Sequence, residues 1–342
     1  MKLRTVFTVV LALALVLSLA GCGSAKQAAP AATEAPTAAP TEAPPAAPPE
    51  APTPEPEPEK EPAVVVTDMT GREITLDEPA TRIVALTASD CEILYALGAG
   101  DVLVGRGEYC DYPAEVLDVP SVQSGYDTNI EQIIALEPQV LLMSTMAQTQ
   151  EQIDALEAAG IKVVVSDAQD IEGVYTAIEI LGKLMGKDDT AAALVENMRN
   201  SFAELQEKAT GDGSKSVYFE VSPLEYGLWT AGSGTFMDEI TRMLGLRNAF
   251  EDVQGWGSIS EEQVLERNPD YIVTITMYFG EGPTPVEEIM ARPGWENVTA
   301  VQNGAILNLV NNELSRPAPR LVDGAQMMYD FVYGEAAGEN AA

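Results

Sequence analysis

Hydrophobic positions change their spacing several times along this chain of 342 residues. Val6 to Leu19 is one continuous apolar run behind Lys2 and Arg4. From Ser24 to Ala63 almost no large apolar side chain occurs, and Ala, Pro, Thr and Glu fill the stretch. Apolar residues then return in short runs. Val64–Thr67 and Glu73–Leu76 alternate as a hairpin does, joined through Met69-Thr70-Gly71-Arg72. Arg82–Leu86, Val102–Gly105, Val140–Met143 and Lys162–Ser166 read as buried strands. Helical spacing separates them. Ser89 with Glu92 forms a capping-box pattern that opens a helix ending at Gly98. Thr128 with Glu131 opens a second helix, stopped before Pro138, and a third runs from about Thr149 to Ala159.

No β signal follows for almost 40 residues, where Ile171–Met185 and Thr190–Ala209 carry helical patterning alone. Twenty helical residues span about 30 Å, the width of a small domain, so this stretch reads as a rigid connector. Alternation restarts with strand Ser216–Val221 and a Gly-rich loop, Thr230–Thr235, opening a helix that ends at Gly245. Ser260–Arg267 (helix), Tyr271–Ile275 (strand), Val286–Ala291 (helix), Ala305–Val310 (strand) and Pro319–Tyr333 (helix) complete it. Strands alternating with helices predict parallel sheets covered on both faces. The expected fold class is therefore α/β: two Rossmann-like lobes with parallel sheets, joined by one long α-helix, with a ligand cleft between them. The boundaries expected are 64–170 for the N-terminal lobe, 171–210 for the connecting helical segment, 211–334 for the C-terminal lobe and 335–342 for a tail.

An internal repeat supports the two-lobe reading. Residues 130–142 read IEQIIALEPQVLL and residues 261–273 read EEQVLERNPDYIV, with Glu131 and Glu262 each before Gln and two aliphatics. Glu92–Gly98 (EILYALG) and Glu239–Gly245 (EITRMLG) match in the same sense. Two similar halves make a cleft, and clefts bind small molecules.

The amino-terminal run has the length of an export signal rather than of a spanning helix, so residues 1–21 are expected to be a signal peptide. Leu19-Ala20-Gly21-Cys22 resembles a bacterial lipobox, which implies cleavage before Cys22 and a diacylglycerol on its sulfur. Residues 22–63 cannot bury enough surface to offset their ordering entropy and read as a Pro/Ala/Glu-rich disordered tether. Fully extended, such a tether reaches on the order of 100 Å. There is no histidine, which removes Ser-His-Asp hydrolysis, histidine base chemistry and His-ligated zinc or haem. A net charge of −34 repels nucleic acid and other polyanions. Cys91 and Cys110 remain after lipidation, and the sequence leaves open whether they pair.

The order and spacing of Asp68-x-x-Gly71-Arg72, Arg82-Ile83-Val84, Glu92–Gly98, Tyr109-x-Asp111-Tyr112-Pro113, the paired Glu segments and Arg316-Pro317-x-Pro319-Arg320 resemble the solute-binding lipoproteins of ABC importers for cobalamin and ferric siderophores. The resemblance covers residues 64–334. It implies an extracytoplasmic, lipid-anchored monomer that performs no chemistry and delivers a cobalt corrinoid or Fe(III)-siderophore to a permease dimer with its ATPase subunits. No intrinsic cofactor or protein metal site is implied. Glu131 and Glu262 would dock, one per lobe, into arginine pockets of the two permease subunits. The bland alternative is that each only caps its own helix.

For the ligand, loops at strand ends are the candidates. Tyr109, Tyr126, Trp229 and Trp256 are the favoured aromatics, with Trp256 first because Gly255 and Gly257 flank it; Tyr112 and Trp295 belong to the same group. Arg106 and Arg316 are the cationic candidates, each as readily a ligand clamp as a satisfied ion pair. The Gly232-x-Gly234 loop lacks the spacing of a phosphate cradle and reads as a packing loop. Two rival functions stand: an oxyanion-binding transport protein using helix N-termini and hydroxyls, or an envelope enzyme or sensor on the same scaffold.

Overall fold

Asp68 explains how the first hairpin is attached. Strands β1 (Val64–Thr67) and β2 (Glu73–Leu76) pair antiparallel. In their turn the buried Asp68 carboxylate accepts from Thr70, from the Arg72 guanidinium and from the backbone N–H of Val165. Burial pushes this carboxyl up, yet the hydrogen bonds win and hold it below its ordinary value. Arg72 also donates to the Val163 carbonyl at 2.8 Å, so the hairpin covers the edge of the adjoining sheet.

The structure is a computed structural model describing residues 63–125, 127–145, 149–278 and 280–334, all in one compact unit. The expected signal peptide, Cys22, the tether, Tyr126 and the tail lie outside the described residues.

In the first lobe, β3 (Ile83–Ala85), α1 (Ala88–Ala96), β4 (Leu103–Gly107), β5 (Ser121–Val122), α2 (Ile130–Ala135), β6 (Val140–Met143), α3 (Gln150–Ala158) and β7 (Lys162–Val165) follow in turn. Their five strands form one parallel sheet, ordered β5-β4-β3-β6-β7. The central strands are apolar at every position, as strands buried on both faces must be.

Helix α4 (Ile171–Leu184) packs on the first lobe, and α5 (Asp188–Lys208) lies against it. The 21 residues of α5 reach about 31 Å, far enough to touch helices of the second lobe. This is the connector that the patterning predicted.

The second lobe contains β8 (Ser216–Glu220), β9 (Trp229–Ala231), α6 (Phe236–Met243), β10 (Arg247–Asn248), β11 (Trp256–Ser258), α7 (Glu261–Arg267), β12 (Tyr271–Thr274), α8 (Pro285–Met290), α9 (Thr299–Gln302), β13 (Ile306–Asn308) and α10 (Leu321–Tyr333). Its parallel sheet has the order β10-β8-β12-β13, and β9 and β11 form a separate antiparallel ribbon.

Two expected caps are corrected. Helix α1 is capped by Thr87, whose hydroxyl accepts from Asp90 N–H, and not by Ser89. Helix α2 is capped by Asn129, accepting from Gln132 N–H at 3.0 Å, while Thr128 donates to the Gly125 carbonyl instead. The Ser260–Gln263 box at α7 forms in full. The Gly-rich loop is a packing loop. A Cβ on Gly232 would stand 2.0 Å from the Val253 carbonyl oxygen, and the N–H groups of Gly232 and Ser233 are spent on Gly255 and Val253.

Candidate functional site

Strand order fixes where a ligand can enter. In a parallel sheet the crevice opens where the chain reverses its direction of strand addition, outside the carboxyl ends of the strands. In the first lobe that point lies between β3 and β6, and in the second between β8 and β12.

At the first-lobe point, Thr87 follows β3 and Asp90 lies one turn into α1. Thr87 donates to Asp90 Oδ2, while Oδ1 has no hydrogen bond although the residue is fully buried. Burial, with the charge of Asp167 adding to it, pushes this carboxyl up to about 7 against the hydrogen bonds of Thr87 and Ser166.

At the second-lobe point lies a pocket of ≈ 530 Å³. Glu220 ends β8, and Thr276, Met277 and Tyr278 follow β12; Leu224 and Glu288 close the sides. Beneath it Arg292 donates to both oxygens of Glu220, at 2.6 and 2.8 Å, and to Glu288 at 3.0 Å, with its guanidinium 4.6 Å from the Trp295 ring. Burial pushes the Glu220 carboxyl up even with this partner. Burial lowers Arg292, but its two carboxylates prevail and keep it charged. Glu225 and Glu281 also line the pocket, and among the described residues no basic side chain does, so its field disfavours anionic occupants.

Two links join the lobes, and the first is an ionic clasp. Glu92, on α1, accepts from Arg316 at 3.1 Å and from Arg320 at 2.7 and 2.9 Å; both arginines precede α10. Arg316 also reaches Asp111 at 2.6 Å and the Tyr109 carbonyl at 3.1 Å, and Arg320 lies 3.8 Å over the Tyr112 ring. The second link centres on Gln169. Its carbonyl accepts from Phe236 N–H and its side chain from the Trp256 indole, both at 2.9 Å. Beside it the Glu239 carboxylate accepts from the first N–H of α4 at 2.8 Å.

The sequence-selected residues therefore separate. Arg316 is in an ion pair between lobes. Trp256 packs at a tilt against Phe236, ring centroids 5.4 Å apart, with its N–H committed to Gln169. Arg106 lies in β4 and donates to the carbonyls of Gly107 and Cys110. Tyr109 is exposed at the clasp, and half-exposed Trp229 lies on the β9–β11 ribbon, outside the pocket lining. Trp295 is buried, donating to Glu261. The pocket residues Glu220, Leu224, Met277 and Tyr278 were missed; the available signal was position, since Glu220 lies at the carboxyl end of the predicted strand Ser216–Val221 and the others follow that strand or Tyr271–Ile275.

Two parallel sheets, each with a switch point, suit a binding protein, and the periplasmic binding protein family model matches residues 83–312. The chain belongs to the periplasmic binding protein family. Members are substrate-binding transport proteins rather than enzymes. The chain is 34% identical over 282 residues, 81% of its length, to the ABC transporter substrate-binding lipoprotein YvrC of Bacillus subtilis (strain 168), covering 87% of that protein. It is 31% identical over 193 residues, 56% of its length, to the vitamin B12-binding protein of Photorhabdus laumondii, covering 70% of it. A solved structure of an ABC-type Fe3+-hydroxamate transport system from Saccharomonospora viridis matches with a TM-score of 0.65 and 26% identity, over 79% of this chain and 99% of that one.

Proposed function

We propose that the chain is the extracytoplasmic substrate-binding component of an ABC importer. A lipid on Cys22 anchors it, and it captures a cobalamin-type corrinoid and delivers it to a permease dimer with its ATPase subunits. The observation that carries this reading is the pocket between the carboxyl ends of β8 and β12, walled by Leu224, Met277 and Tyr278 and, among the described residues, lined by no basic side chain. Apolar walls with a few acids suit a large, neutral, flat-faced metal complex better than an oxyanion, which requires donors. The vitamin B12-binding relative and the lipoprotein relative support the cargo and the anchor in turn.

A ferric hydroxamate is the second reading, favoured by the acidic pocket rim, which attracts cationic complexes such as ferrioxamine B. Titration calorimetry of the full chain with cyanocobalamin and with ferrioxamine B separates the two. Cyanocobalamin heat supports the first reading, ferrioxamine heat alone transfers it to the second, and no heat from either removes both.

Docking is assigned to Glu131 and Glu262. Each is the second residue of its helix, exposed, and one place before the glutamine that answers the cap residue, Asn129 or Ser260. Asn129 and Ser260 accept from the Gln132 and Gln263 N–H groups, and Ser260 N–H donates to the Gln263 side chain. The Glu262 carboxyl is held below its ordinary value by its own N–H and by Ser260, and the two carboxylates occupy matching positions before β6 and β12. Paired arginine contacts to two like charges would fix orientation on a twofold partner. Reversing both charges should abolish uptake while leaving ligand affinity intact; undiminished uptake removes the assignment.

A further inference from the structure

Cys91 lies in the second turn of α1 and Cys110 in the loop after β4, and both are buried. Each thiol lies 3.9 Å from the same acceptor, the Ala85 carbonyl oxygen. Two sulfurs on one oxygen are neighbours, and the Cys110 thiol beside it, with burial, pushes the Cys91 thiol well up. Strands β3 and β4, which place Ala85 next to Arg106, hold the two segments side by side. The residues flanking the thiols matter as much. Glu92 follows Cys91, while Tyr109 and Asp111 flank Cys110, and these three supply the acceptors of Arg316. Among the described residues no group of three or more Cys, Asp or Glu side chains is arranged to hold a metal, so the pair has no metal-site geometry.

We propose that Cys91 and Cys110 are joined by a disulfide in the exported protein, tying α1 to the Tyr109–Tyr112 loop and fixing the first lobe's half of the ionic clasp. The envelope setting rests on the proposed function; the pairing itself does not. The oxidant is the disulfide of a thiol–disulfide exchange partner. One cysteine thiolate attacks it and releases the first partner thiol; the second cysteine thiolate then attacks the mixed disulfide and releases the other. Two S–H bonds and one partner S–S bond are lost, one S–S bond forms here, and two partner thiols form. Thiols this buried exchange slowly once folded, so the bond forms during folding, before α1 closes over the loop.

The test maps peptides of the full chain after alkylation without reduction, from two sources: protein exported to the envelope, and protein made in a reducing cytosol and refolded with oxidised glutathione. A linked Cys91–Cys110 peptide, two mass units below the paired thiols, is expected from both. The linked form should melt several °C above the Cys91→Ser/Cys110→Ser double variant and above its own reduced form. Linkage in the refolded chain with free thiols in the envelope protein overturns the proposal while leaving the export reading standing. Free thiols from both sources overturn the proposal. So does a linkage only between different molecules.

Discussion

Replacing Glu92 with glutamine tests the ionic clasp most directly. The Glu92 side chain is 2% exposed and those of Arg316 and Arg320 are 12% exposed, so water can replace little of what is lost. Glutamine keeps one acceptor oxygen but turns an amide N–H2 towards Arg320 Nε, where Glu92 Oε2 accepted at 2.9 Å. One charge-assisted bond becomes a donor–donor contact and two lose their charge. Each such bond contributes about 1.5–3 kcal/mol. Stripping a buried ion of all partners costs about 3–5 kcal/mol, which sets a ceiling. Arg316 retains Asp111 at 2.6 Å and Arg320 retains the Asn311 carbonyl at 2.8 Å, so the expected loss is about 2–4 kcal/mol. For a folded region of this size that is a fall in Tm of roughly 5–10 °C. Urea unfolding followed by circular dichroism reads it, with Arg320→Gln and the double variant closing a thermodynamic cycle. A loss below about 1 kcal/mol, or strict additivity in the cycle, would refute the reasoning.

Arg292→Ala leaves the Glu220 carboxylate buried with only the Tyr218 hydroxyl, and should cost about 3–5 kcal/mol in the same urea assay; Arg292→Lys should recover little, because the contact is bidentate. Asp90 should shape the pH profile. Folded, its carboxyl titrates at about 7, whereas unfolded it titrates at about 3.9, so the native chain holds a proton that the unfolded chain loses. Its contribution is complete below pH 4 and falls as pH rises to about 7, so Asp90→Asn should raise Tm relative to wild type at pH 8 and not at pH 4. Equal differences at both pH values would contradict the assignment. Trp256→Phe removes the indole donor to Gln169 while retaining the ring on Phe236, and a loss of about 1 kcal/mol is expected from differential scanning calorimetry.

Most strands and helices of both lobes were legible because their apolar periods are long and their stops are marked by Gly98, Pro138, Gly160 and Gly245. The connector stood out for the same reason. The two-residue edge strands β5 and β10 and the single turn of α9 were not legible, for they carry too little pattern. The ribbon of Trp229–Ala231 with Trp256–Ser258 was not, since three-residue strands carry too little pattern. The clasp was invisible because its partners are more than 200 residues apart, and Glu92 looked like half of a capping box. Candidate ligand residues were chosen by aromatic character, yet Trp256 and Trp295 are held by protein partners. Strand order, which a sequence does not display, is what points to Glu220 and Tyr278.

Among the described residues, helix α5 is not the only attachment between the halves. The arginine pair at Glu92 and the junction at Gln169 add two more, and buried residues of both halves share one apolar core. A swing that parted the halves at either junction would have to break its hydrogen bonds.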